Sequence, residues 1–134
     1  TWVHSVERIK IAERLNKHCF DLNKSINILI QVNIDNEASK SGAQISDVHP
    51  LAKYIEEHCP NLRLRGLMFM PSLTKSVNEK NESMERIKEV IEAISSEFNK
   101  FDTFSFGTSH DYPIALKYGS NLIRVGENIF GKRE

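Results

Sequence analysis

Between Ile26 and Ile34 every second residue is a branched aliphatic: Ile26, Ile28, Ile30, Val32 and Ile34. A period of two puts these side chains on one face of an extended strand and Asn27, Leu29, Gln31 and Asn33 on the other. The first face is suited to packing under helices. The second turns polar toward its C-terminal end, at Gln31 and Asn33. Polar side chains aimed into a core need partners, either an internal layer of hydrogen bonds or a ligand.

The segments around this strand alternate between the two periodicities. Trp2–Ser5 reads as a short strand, and Glu7 to about His18 as a helix with Ile9, Ile11, Ala12 and Leu15 at helical spacing. Asp35–Ala43 is a polar loop with Gly42. Ser46, with Asp47 behind it, is the expected N-cap of a helix to His58, which Pro60-Asn61 ends. Leu62–Met70 is a second long strand, stopped by Pro71, and Ser72–Asn78 is polar loop. Glu79–Asn99 is a long helix whose stripe is Met84, Ile87, Val90, Ile91, Ile94 and Phe98. Phe101–Phe106 is a strand. Asp111–Tyr118 is a short helix closed by Gly119 in a left-handed cap. Asn121–Val125 is the last strand, followed by Gly126 and a turn of helix to Phe130. Such alternation implies a single α/β domain with parallel pairing and right-handed crossovers. Two architectures satisfy it: a doubly wound open sheet and a (β/α)₈ barrel.

Eighteen Lys and Arg balance eighteen Asp and Glu over 134 residues. Zero net charge argues against a protein living on phosphate-backbone attraction, so no nucleic-acid partner is expected. No apolar run is long enough to span a bilayer, and no basic-then-apolar leader opens the chain, so neither a membrane nor a secretory role is expected. The two cysteines, Cys19 and Cys59, are far apart, which suits reduced thiols in the cytoplasm better than a disulfide scaffold. Each follows a histidine. His18-Cys19 and His58-Cys59 could be offered as four zinc ligands, but they lack the short-loop spacing of such sites. A histidine near the end of a helix already suits the negative end of its dipole, so no metal is assigned.

In a barrel the functional groups sit at the C-terminal ends of the strands, and the phosphate site often lies on the loops after the last two. Phe106-Gly107-Thr108-Ser109-His110-Asp111 reads as strand, Gly-hydroxyl turn and helix start. Arg124-Val125-Gly126-Glu127-Asn128 reads as strand, Gly and a second helix start. Glycine permits close approach, hydroxyls donate, and backbone N–H groups at a helix start favour an anion. Gly-Thr-Ser is also ordinary capping chemistry, so it is the pair of turns in this order that points to phosphate. Arg124 could face the barrel mouth and meet an anion or a ring nitrogen, or it could form a structural ion pair with a carboxylate. His4, at the end of the first strand, is either a site residue or a satisfied core histidine. His110 is expected to be exposed. Lys40 could be offered as an amine nucleophile, but a solvated loop lysine is the better account of it.

These pieces together resemble the YggS/PROSC-type pyridoxal phosphate homeostasis proteins, which share the barrel of the alanine racemase N-terminal domain. The matching runs are VHSVER with KIAERL, ILIQVNIDNEASKSG, NLRLRGLMFMP and FSFGTSHDYPIALKYGSNLIRVGENIFGKR. The resemblance implies an α/β (β/α)₈ TIM barrel of which this chain supplies strands four to eight, with residues 1–134 forming the C-terminal portion of one domain. It implies pyridoxal 5′-phosphate (PLP) as cofactor. Thr108 and Ser109 would meet its phosphate together with the backbone N–H groups of Gly126 and Glu127. Arg124 would approach the pyridine nitrogen, and Met68 and His4 or Ser5 would line the cofactor region. In the family the position after Gly126 is often a small hydroxyl residue. Here it is Glu127, whose carboxylate must point away from a phosphate. The family's Schiff-base lysine lies on the first strand, a segment with no counterpart in this chain, and no lysine present matches it.

The function implied is PLP binding in vitamin B6 and amino-acid homeostasis, by a carrier and regulator rather than an enzyme. Two other readings stay open: a racemase- or decarboxylase-type PLP enzyme, and a truncated, non-catalytic interaction fragment. Open strand edges and apolar faces would lead such a half-barrel to associate with itself or with the missing half.

Overall fold

A computed structural model describes residues 1–35, 41–71, 76–126 and 129. Lys40, Glu127 and the expected turn of helix to Phe130 lie outside the described residues. Strands and helices alternate throughout: β1 Trp2–Val6, α1 Ile9–Asp21, β2 Ile26–Val32, α2 Ile45–His58, β3 Leu62–Phe69, α3 Val77–Ser95, β4 Thr103–Thr108, α4 Tyr112–Lys117 and β5 Leu122–Arg124.

The five strands form one sheet in the order β1-β2-β3-β4-β5, every neighbouring pair parallel. This order decides between the two expected architectures. A doubly wound sheet reverses its strand order at a switch point. A strictly sequential order with crossovers of one hand puts every helix on the same face, as in a barrel. Ile28, Ile30, Val32 and Ile34 lie in one core cluster with Leu51, Ala52 and Ile55 of α2 and with Met84, Ile87 and Ile94 of α3. The aliphatic face of β2 is therefore the helix-facing one, as its pattern implied.

Element boundaries moved where a specific bond took over a residue. Helix α1 begins at Ile9 rather than Glu7, because the Glu7 carboxylate accepts the N–H of Gly42 instead of joining the helix. It continues past His18 to Asp21. Asn23 closes it with a left-handed φ of 54°, and the Lys24 N–H reaches the Cys19 carbonyl at 2.8 Å. Helix α2 starts at Ile45 with Gln44 as N-cap, so Ser46 lies inside it. Ala43 is the reason: its N–H donates to Gln31 O at 2.8 Å and its carbonyl accepts from Asn33 N at 2.9 Å, which pins the chain to the end of β2. Helix α3 begins two residues earlier than its stripe suggested. Ser76 caps it, accepting the Glu79 N–H at 3.3 Å. Strand β4 is shifted toward the C-terminus: Phe101 is a buried loop residue, whereas Gly107 and Thr108 belong to the strand. Asn121 is not in β5. Its side-chain amide acts as a ladder rung, accepting the Phe104 N–H at 2.8 Å and donating to Asp102 O at 2.6 Å.

Gly66 has the tightest steric requirement in the sheet. A Cβ there would lie 1.7 Å from the Thr103 carbonyl oxygen, on the β4 backbone paired with it. Gly66→Ala must push β3 and β4 apart. It is expected to cost at least about 2 kcal/mol, read as a lower urea midpoint. An unchanged midpoint would show that the pair can spread freely. Ser76→Ala removes only the cap of an exposed helix end and should cost about 1 kcal/mol in the same measurement.

Candidate functional site

The strand faces turned away from the helices meet at the C-terminal half of the sheet. Backbone register sets Gln31 of β2 beside Met68 of β3, Met68 beside Ser105 of β4, and Ser105 beside Leu122 of β5. One step further on, Thr108 lies beside Arg124. Leu29, Gln31, Met68 and Ser105 are all buried, yet they stand apart from the helix-facing core cluster. Gln31 uses its amide inside the protein, donating to Ser41 O at 3.3 Å.

Arg124 is the cation of this face. Its Nη1 donates to the Ser105 hydroxyl at 2.6 Å and to the Ser105 carbonyl at 3.3 Å, and its Nη2 donates to the Phe69 carbonyl at 2.8 Å. The guanidinium thus reaches from β5 across β4 to the end of β3. These acceptors are all neutral, in contrast to the structural ion pair that was one of two expectations. Burial draws the Arg124 pKa down and the charge of Asp111 opposes the change. A guanidinium starts so high that it stays charged at any physiological pH.

The turn after β4 is shaped by Asp111, which is almost fully buried. Its Oδ1 accepts the Thr108 N–H at 2.7 Å and the Thr108 hydroxyl at 3.2 Å. The Thr108 hydroxyl in turn accepts the His110 N–H at 3.4 Å. Thr108 is therefore committed to the turn itself, and Ser109 follows it, half-buried. His110 is exposed, as expected. Helix α4 has six residues, so its dipole is slight and the local donors matter more than the helix. Gly107 is needed for packing: its φ is 102°, and a Cβ would come 2.7 Å from the Ala115 Cβ of α4. Gly126 differs, since among the described residues a Cβ there would meet nothing within 4 Å.

His4 and Ser5 lie on β1, at the other end of the strand order. Ser5 is exposed and His4 half-buried. The sheet curls enough for the two ends to share a cleft of about 590 Å³, lined by Trp2 and His4 from the first strand, by Leu122 from the last and by Asn121 just before it. Burial lowers the His4 pKa and the Arg124 charge lowers it further, which favours the neutral imidazole. At the N-terminal floor of this cleft Arg65 stands 4.9 Å from the centre of the Trp2 ring. It also forms a two-pronged pair with Asp102 at 2.9 and 2.5 Å, which holds the Asp102 carboxyl below its usual range.

Among the described residues no group of three or more His, Cys, Asp or Glu is placed to hold a metal. Cys19 and Cys59 are buried thiols, while His18 and His58 occupy the last turns of α1 and α2. No described helix is long and apolar enough to cross a membrane.

The structure therefore brings Met68, Thr108, Ser109, Arg124 and Gly126 to one end of the sheet, with His4 across the curl on β1 and Ser5 exposed beside it. Sequence reasoning missed three contributors. Ser105 carried a signal, being a small polar residue alternating with Phe104 and Phe106 on an otherwise aromatic strand. Asp111 looked only like a helix start. The Phe69 carbonyl left no trace in the residue types.

The sequence profile of the alanine racemase N-terminal domain matches residues 1–134. A pyridoxal phosphate homeostasis protein of Haemophilus influenzae is 40% identical over 134 residues, covering 98% of this chain and 56% of the relative. One from Vibrio alginolyticus is 38% identical over 99% of this chain and 57% of the relative. Among solved structures, PipY of Synechococcus elongatus with PLP bound superposes with a TM-score of 0.85 at 25% identity, over 97% of this chain and 60% of PipY. The chain thus spans a little over half the length of the relatives it matches. The sequential parallel half-barrel and the profile match over its whole length agree: the chain belongs to the alanine racemase N-terminal domain family.

Proposed function

We propose that this chain carries the phosphate and ring-nitrogen side of a PLP site, and that it serves PLP and amino-acid homeostasis as a cytoplasmic carrier of the cofactor rather than as a catalyst. The observation that carries this reading is the pairing of Thr108 with Arg124 at the C-terminal end of the last two strands. It brings a hydroxyl-rich turn and a half-buried cation side by side, with open space at Gly126 next to them. The names of the curated relatives and the PLP bound to PipY support it.

The residues fit part of the cofactor. Ser109 and the backbone at Gly126 and Glu127 would take the phosphate, and Thr108 would act by holding the turn on Asp111. Asp111 is directed at Thr108, which keeps its negative charge behind the turn. Arg124 would donate to the pyridine nitrogen. A donor that never gives up its own proton favours an unprotonated ring nitrogen, which suits carriage better than carbanion chemistry. Met68 would form an apolar wall, and His4 and Ser5 the far rim. None of the five strands contains a lysine. When bound, PLP supplies an aldehyde able to react with amines, and in this reading the chain holds the cofactor without a covalent link of its own.

The half-barrel ends in two open edges, β1 and β5, above a cleft open to solvent. In this reading further strands of the kind present in its longer relatives cover them, and a second copy does so when those are lacking. Sedimentation of the 134-residue chain alone should give a dimer or larger species; a stable monomer would refute the association.

PLP at a hundredfold excess over its Kd should raise the melting temperature by about 8 °C, with inorganic phosphate shifting it in the same direction. No shift with either would remove the PLP reading in favour of a non-binding interaction fragment. Arg124→Gln should weaken PLP binding by about 10- to 100-fold, the range for a hydrogen bond to a charged group. Borohydride treatment after PLP addition, followed by peptide mapping, should leave no stoichiometric pyridoxyl-lysine. Trapping on a lysine of this chain, with turnover of an amino acid, would instead establish the enzyme reading.

A further inference from the structure

Ser105 has a geometry that its position in the strand does not require. It is fully buried on the inner face of β4, between Met68 and Leu122 in the register. Alanine would fill that space in a strand as well. Yet its hydroxyl oxygen accepts from Arg124 Nη1 at 2.6 Å, the shortest of the three bonds to that guanidinium. The Phe69 carbonyl at 2.8 Å holds the other terminal nitrogen, from the neighbouring strand. Two acceptors on two strands fix both the position and the plane of a guanidinium, which a single acceptor cannot do. Arg124 would otherwise be a long, rotatable side chain at the end of a three-residue edge strand, where ordering it costs rotamer entropy. A hydroxyl suits this role better than a carboxylate, which would fix the arginine equally well but cancel its charge.

We infer that Ser105 is a positioning residue: together with the Phe69 carbonyl it orients the Arg124 guanidinium toward the inner face through neutral acceptors. As it bears on the ligand this rests on the PLP reading, because a fixed planar donor is useful for meeting a ring nitrogen and of little use for holding a freely rotating phosphate. Ser105 acts through Arg124 and touches no ligand itself.

The test has one arm without ligand and one with it. In the free protein, NMR of the Arg124 side chain should show slow rotation and slow exchange of its Nη protons. Ser105→Ala and the nearly isosteric Ser105→Cys should average those signals, and Ser105→Thr, which keeps the hydroxyl, should restore them. Unchanged signals in folded Ser105→Ala or Ser105→Cys protein would overturn the inference whatever PLP does. In the second arm Ser105→Ala should weaken PLP binding about tenfold, the loss of one hydrogen bond to a charged group. It should shift the ¹⁵N signal of the bound ring and leave affinity for inorganic phosphate unchanged. If the unmutated protein binds no PLP, the PLP reading fails while the NMR arm still decides the role of Ser105. If PLP binds and Ser105→Ala alters neither affinity nor ring signal, the positioning role toward the ligand fails while the PLP reading stands. An equal loss of phosphate and PLP affinity would mark Ser105 as merely structural.

Discussion

Parallel pairing in strict chain order is the constraint on which the remaining features depend. Each crossover must carry a helix, and crossovers of one hand return every helix to the same side of the sheet. One strand face is then committed to aliphatic packing and the other is released from it. The released face can hold Gln31, Ser105 and Arg124 because the helix side supplies the burial that stabilises the fold. Where a side chain on β3 would strike the β4 backbone, at Gly66 against the Thr103 carbonyl, the sequence has glycine.

Several polar groups near the sheet are partnered across strands, while Gln31 reaches Ser41 in the loop beyond β2. Arg124 binds β4 and β3, Arg65 binds Asp102 just before β4, and the Asn121 amide completes a rung of β4. Ser120 works similarly behind them, its hydroxyl lying 2.6 Å from the Phe106 carbonyl. These links put polar chemistry and sheet integrity in the same bonds. The site is therefore built largely on the strands themselves, with Ser109, Asp111 and Gly126 contributed by the connections.

Much of this was legible in the sequence because burial imposes periodicity. The alternation in Ile26–Ile34 identified the helix-facing side correctly, and the apolar stripe of α3 identified its packed face. Boundaries were less legible, since single bonds set them: Glu7 left its helix for the Gly42 N–H, and Ala43 moved the start of α2 by pinning itself to β2. In the candidate site, residue types pointed to Thr108, Ser109, Arg124 and Gly126. They did not show that Thr108 is bound to Asp111, or that Gly107 is required by Ala115 of α4 and not by a ligand. Such facts depend on which main-chain atoms come together in space, and residue identity records main-chain atoms only weakly.

The cleft shared by the first and last strands has a consequence for His4. The histidine and Arg124 belong to opposite edges of the sheet, and only curvature brings them into each other's field. Coulomb interaction falls with separation, so a flatter sheet would release His4 from the arginine and let its pKa climb back toward that of a free imidazole. Burial is the larger cause of the His4 shift, and the arginine's smaller share is the part that depends on how tightly the half-barrel is rolled.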